Sequence, residues 1–186
     1  MIKGFFFDLD GTLVDTHRAN FEAYRQALED FGIELTFDEF KKSIGHQAKT
    51  FLPWFAPNLS SDELDEIAEK KKRYYKEYVH LSVLNTQLVE FLKYLKPHHA
   101  IVLVTTAKRA NAETMLEHHG LMDMFDQMIT FEDVTDSKPS PEAYQLALER
   151  TKLQPNEVIA FEDSSAGISA AIEAGIAVVE VKDFRP

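Results

Sequence analysis

The chain has 186 residues, 45% of them hydrophobic, and sets 20 Lys and Arg against 31 Asp and Glu, a formal net charge of −11. That length holds one domain, or one domain with a modest insertion, and the acidity disfavours nucleic acid and anionic membrane as partners. Cysteine is absent, which excludes disulfides, thiolate catalysis and thiolate metal sites and fits a reducing compartment.

In chain order, Met1-Ile2-Lys3-Gly4 runs straight into Phe5-Phe6-Phe7. The apolar run is too short for a signal peptide, no stretch reaches the length of a membrane span, and the expectation is a cytoplasmic monomer. Residues 2–7 read as a first strand. Phe21, Tyr24, Leu28 and Phe31 then share one helical face, with Gly32 as its stop. Ser60 and Glu63 form a capping box ahead of Leu64, Ile67, Lys71, Tyr74 and Tyr78. The run Lys70-Lys71-Lys72-Arg73 alternates with acids and reads as a solvated face. Residues 15–81 carry no strand pattern and form an all-helical insertion.

Four further strands follow at 100–105, 127–131, 158–161 and 177–181, apolar throughout as in strands covered on both faces. His118-His119-Gly120 reads as a helix end, where cations suit the helix dipole better than they suggest a metal site. His98-His99 after Pro97 takes the same reading. Ser140-Pro141 supplies an N-cap and a first helical position for a helix carrying Tyr144 and Leu148. Ser164 or Ser165 opens another, with Ile168, Ala171 and Ile172, which Gly175 stops. Strands alternating with helices predict an α/β fold with a mostly parallel, Rossmann-like sheet, its core formed by 1–14 and 82–186.

The chemistry concentrates at strand ends. Asp8-Leu9-Asp10-Gly11-Thr12 follows the first strand, at the carboxyl end where open α/β sheets bind ligands, and alternation points both carboxylates the same way. A polar turn closing a strand is the structural alternative. Glu162-Asp163 repeats the arrangement after 158–161, although alone it also reads as an acidic N-cap. Thr105 and Thr106 end the run Ile101-Val102-Leu103-Val104, where hydroxyls and free amides suit a phosphoryl oxygen or a helix cap equally. Lys138-Pro139 lies in a loop whose proline fixes the direction of the lysine.

In this order and spacing, these residues resemble the haloacid dehalogenase superfamily. Asp8 to Thr16 resembles that family's first motif, Val104-Thr105-Thr106 the second, Lys138-Pro139-Ser140-Pro141 the third, and Phe161-Glu162-Asp163-Ser164 through Ala166-Gly167-Ile168 the fourth. The insertion at 15–81 is similar to the family's helical cap, near the phosphoglycolate-phosphatase and β-phosphoglucomutase branch. The resemblance implies that Asp8 attacks phosphorus and Asp10 serves as general acid and then base. It also implies that Thr105 and Lys138 hold the non-transferring oxygens. Two departures stand out: Thr106-Ala107 follows Thr105 where Asn or Ser is usual, and Asn20 stands where the mutases carry a histidine.

Charge points to the cofactor. Asp8, Asp10, Glu162 and Asp163 bring up to four negative charges beside a dianionic substrate, and two unit charges about 4 Å apart interact by roughly 4 kcal/mol near a protein surface. Lys138 alone does not offset that; a divalent cation does, and an all-oxygen donor set suits Mg²⁺. By resemblance its ligands are the Asp8 side chain, the Asp10 carbonyl oxygen and Asp163, with Glu162 nearby. Substrate contacts are expected from Thr106 and, in the turn Ser43 to Lys49, from His46 and Lys49. The expected function is hydrolysis of a small phosphorylated metabolite through an aspartyl-phosphate. The alternatives are a sugar-phosphate mutase and a phosphate-binding protein without turnover; Asp10 argues against a dehalogenase.

Overall fold

The computed structural model describes residues 1–44, 48–182 and 184, and of 48 and 49 the backbone alone. It divides into two compact units, Thr16–Ser82 and a second made of Met1–Asp15 with Val83–Pro186.

The first unit is helical: α1 (His17–Glu29), α2 (Phe37–Lys41), α3 (Ala48–Phe55) and α4 (Ser61–Tyr78). Phe21, Ala27 and Leu28 of α1 share a core with Leu35, Phe40, Phe51, Leu52 and Ile67. Past the end of α1 the Ile33 amide reaches back to the Leu28 carbonyl and the Gly32 amide to that of Glu29, the closure a glycine permits. The capping box on α4 forms as read: Ser60 Oγ accepts from the Glu63 amide, and Glu63 accepts from the Ser60 amide at 2.8 Å, an arrangement worth about 1 kcal/mol. The solvated basic face needs correction at one position. Lys71 is buried, because it falls one helical turn from both Ile67 and Tyr75 on the inward face. Its ammonium lies 4.3 Å from the Tyr75 ring centre and donates to Asn20 Oδ1 at 2.7 Å.

The second unit is built on β1 (Gly4–Phe7). Residues 14–15 and 83–84, at the two edges of the helical insertion, form a two-residue antiparallel ladder that was not among the strands read from sequence, β2 (Val14–Asp15) with β3 (Val83–Leu84). That ladder keeps Asp15 with the sheet unit, which moves each junction one residue beyond the 14/15 and 81/82 boundaries read from sequence. The main sheet adds β4 (Ala100–Val104), β5 (Gln127–Ile129), β6 (Val158–Glu162) and β7 (Ala177–Glu180), all parallel, in the order β5-β4-β1-β6-β7. Strand β5 is shorter than read. Thr130 and Asp133 close a capped 3-10 turn that takes Phe131 out of the sheet.

Alternation along β1 explains its position. Phe6 joins the core with Val102, Val104, Tyr144 and Ala160 on one face, and Phe7 stacks on Phe161 at 4.8 Å on the other. Each fully buried phenylalanine is worth about 1.5–3 kcal/mol, so a strand apolar on both sides goes to the sheet centre. Four helices complete the unit: α5 (Thr86–Leu95), α6 (Arg109–His118), α7 (Glu142–Thr151) and α8 (Ser165–Glu173). Ser164 caps α8, accepting from the Gly167 amide at 3.0 Å. Helix α7 starts one residue later than read. Pro141 is its N-cap, while Glu142 accepts from the Thr135 and Asp136 amides at 2.9 and 2.8 Å. Among the described residues no helix is long and apolar enough to cross a membrane.

Candidate active site

Register gathers the polar residues. Phe7 is paired with Leu103 on one side and Phe161 on the other, so Asp8, Val104 and Glu162 leave three adjacent strands at one level. The Asp8 amide donates to the Phe161 carbonyl at 3.0 Å. The chain then turns tightly: the Leu13 and Val14 amides both return to the Leu9 carbonyl at 3.0 Å. Gly11 sits in the left-handed region at φ +92°, and a Cβ there would lie 2.1 Å from Asp163 Oδ2. Only glycine lets the turn approach that carboxylate. Thr12 Oγ1 donates to Asp163 Oδ1 at 3.0 Å, tying the loop after β1 to the loop after β6.

At the centre stands Lys138, its side chain 3% exposed. Its ammonium donates to Asp8 Oδ1 at 2.7 Å, to the Val104 carbonyl at 2.8 Å and to Glu162 Oε1. All three of its hydrogens are thus in use. Glu162 is fully buried, and its Oε1 also accepts from the Tyr144 hydroxyl at 2.7 Å. Oxygens of Asp8, Glu162 and Asp163 lie within 4.8 Å of one another.

Electrostatics follow from one ammonium serving two buried carboxylates. Burial pushes the Asp8 carboxyl well above its ordinary value; Lys138 opposes this, while Glu162 and Asp10 add repulsion. Burial disfavours charge on Lys138 too, but the attraction of Asp8 and Glu162 outweighs it and holds the ammonium protonated. The lysine therefore keeps its charge, and Asp8 is the group left under-compensated. Asp163 is pushed up by burial first, against the Thr12 hydrogen bond. Burial, with the charge of Glu162, lifts the Tyr144 phenol far above its usual range and leaves it a donor. Three crowded carboxylates, Asp8 and Asp163 among them with raised proton affinity, offer oxygen donors only and are a fit for a hard divalent cation.

The other expected residues divide. Asp10 is partly exposed at the loop rim, its backbone bridged to Val14. Thr105 is buried at the end of β4, and its Oγ1 accepts from the Ala107 amide at 3.0 Å, so it closes a turn rather than capping α6. Thr106 is exposed beside it. His46 and the side chain of Lys49 lie outside the described residues. Sequence reasoning named Tyr144 only as a helix-face residue. Its signal was a phenol on an otherwise apolar face with Ala143, Ala147 and Leu148, since a buried hydroxyl needs a partner.

With that geometry in view, the comparisons are coherent. The model for haloacid dehalogenase-like hydrolases matches residues 5–181. The phosphorylated carbohydrates phosphatase of Thermotoga maritima is 34% identical over 91% of this chain and 80% of its own length. Fructose-1-phosphate phosphatase YqaB of Escherichia coli is 29% identical over 96% of both. Among solved structures, β-phosphoglucomutase from Clostridium difficile superposes with a TM-score of 0.81 at 27% identity, covering 99% of this chain and 86% of that one. The chain belongs to the haloacid dehalogenase-like hydrolase family and is an enzyme of its phosphatase kind.

Proposed function

We propose that the protein is a magnesium-dependent phosphatase acting on a small phosphorylated sugar or related metabolite, with Asp8 as the nucleophile. A buried carboxylate held 2.7 Å from a buried ammonium, at the end of the central strand, carries this reading. An Asp8 oxygen attacks phosphorus while the alkoxide leaves and takes a proton from Asp10. Water then attacks the aspartyl-phosphate, Asp10 accepts its proton, and phosphate departs with Asp8 restored. Lys138, whose hydrogen bond to Asp8 opens as that carboxylate attacks, and Thr105 hold the non-transferring oxygens. Magnesium, when bound, supplies charge compensation for the phosphoryl oxygens; the carboxylates of Asp8 and Asp163 and the Asp10 carbonyl would hold it, with Glu162 nearby. The helical unit serves as the cap, with His46, Lys49 and, from the core, Thr106 as substrate contacts.

The names of the two relatives above support a sugar phosphate as substrate. Phosphate release should be measured with Mg²⁺ over phosphorylated sugars, polyols, nucleotides and short acids. Sugar phosphates should turn over fastest, and Asp8→Asn should give none. A mutase is the second reading, favoured by the similarity to β-phosphoglucomutase. It predicts an isomerised sugar phosphate without free phosphate, an outcome that would reject hydrolysis as the main reaction.

A further inference from the structure

Lysine has four rotatable side-chain bonds, so its ammonium is placed only as firmly as its acceptors are. Of the three acceptors of Lys138, the Val104 carbonyl is fixed by the sheet. Asp8, in the mechanism above, moves toward phosphorus during the reaction. Glu162 is therefore the one side chain that must stay still through the cycle. It is built in on every side: Tyr144 donates to Oε1 at 2.7 Å, Ser164 donates to Oε2 at 3.4 Å, and Gly167 backs the carboxylate. A Cβ at Gly167 would fall 2.0 Å from Oε2. Tyr144 is itself fully buried, and its ring centre lies 5.3 Å from the Lys138 ammonium.

We propose that Tyr144 is a positioning residue: its hydroxyl fixes Glu162, and through Glu162 it sets where the Lys138 ammonium stands beside Asp8. The inference rests on the reading of Asp8 and Lys138 given above. A tyrosine needed only to fill the core is replaced by phenylalanine without consequence for chemistry, because the ring and its contact with the ammonium remain. Loss of the hydroxyl instead leaves Glu162 short of a donor and free to shift, and the lysine with it.

The test is Tyr144→Phe, read in two ways. With Mg²⁺ and an aryl phosphate, kcat should fall by about 10- to 100-fold, the usual cost of an outer partner of a catalytic group. KM, the Mg²⁺ concentration for half-activity and the melting temperature should stay near those of the wild type. Separately, in ¹⁵N-lysine-labelled protein the ammonium resonance that Lys138→Ala removes should shift or broaden in Tyr144→Phe. Fluorotyrosine placed at position 144, which keeps the ring and changes the donor strength of the hydroxyl, should shift the same resonance and serves if Tyr144→Phe folds poorly. Unchanged kcat together with an unchanged resonance would overturn the proposal. So would a loss of stability with the resonance unmoved, since that is the mark of a core residue only. If the wild type released no phosphate from any substrate, the phosphatase reading would fail, and the resonance would still decide whether Tyr144 places Lys138.

Discussion

Asp8 and Asp10 are chemically the same residue two positions apart, and their surroundings differ as the two proposed roles require. Asp8 is buried against Lys138, short of compensation and aimed from the strand end; Asp10 is partly exposed on the loop that follows. An amide at position 8 cannot attack phosphorus, so Asp8→Asn should fall to background with its circular dichroism unchanged. More than a few per cent of activity sustained over several turnovers would sink the covalent route. Asp10→Asn should cost about 10²- to 10⁴-fold on an alkyl phosphate, whose leaving alkoxide needs a proton. The loss should be smaller on an aryl phosphate, whose phenolate leaves unaided, and equal losses would remove Asp10 from the acid's role. What the sequence made legible was the placement of both aspartates directly after an apolar strand, and the structure has them there, following β1. The partnership of Lys138 with residue 8 was legible only through resemblance, since 130 positions separate them. Tyr144 was legible only as a buried phenol in need of a partner, not as a neighbour of Glu162. Periodicity reports that a side chain is buried and is silent on what its hydroxyl meets.

Between β5 and α7 runs the segment that presents Lys138, and Asp133 is its anchor. Its Oδ2 accepts from the Thr130 amide and hydroxyl, both at 2.9 Å, and from Arg109 of α6 at 2.8 Å; its Oδ1 accepts from Arg150 of α7 at 2.9 Å. Burial alone would push this carboxyl up, but the Thr130 amide, the Arg150 guanidinium and the Thr130 hydroxyl outweigh it and hold it down at about 2. A depressed carboxyl contributes stability above its unfolded value and loses it as pH falls through the folded one. Asp133→Asn should therefore melt lower than the wild type near neutrality, and the gap should close between about pH 4 and pH 2. Thermal melts of both proteins across that range measure it; a gap independent of pH would mean the clamp is not ionic. At this scale the five strands of the main sheet and the capped helix α4 were readable from pattern. The β2–β3 ladder was not, because two residues per strand carry no period. Lys71 was misread for a related reason: four basic residues in a row span a whole helical turn, so one of them must face inward.

For the molecule as a whole, the formal charge of −11 repeats at long range what the site shows at short range: negative charge in excess. Three carboxylates converge with one ammonium among them, and such an arrangement sacrifices stability for function. The consequence is a reversal of order. The raised proton affinity of Asp163 means that its ionised form is penalised in the folded state. Stability from that group is thus lost as pH rises above its ordinary value, and at pH 7 the charge is a cost. Asparagine removes the charge and keeps an oxygen for the Thr12 hydroxyl. In chelator, Asp163→Asn should melt at or above the wild type. If magnesium binds the folded chain alone, as the proposed function requires, a hundredfold excess over its dissociation constant should add about 2.7 kcal/mol. For a chain of this size that raises Tm by about 5–10 °C. The variant lacks one ligand and should gain less, so the wild type becomes the more stable of the two. Calorimetry of both proteins with and without Mg²⁺ reads the crossing directly. If the variant melts lower even in chelator, Asp163 is a structural hydrogen-bond acceptor first. If both gain equally from Mg²⁺, the ion is bound elsewhere, and the carboxylate trio has lost its claim to the metal.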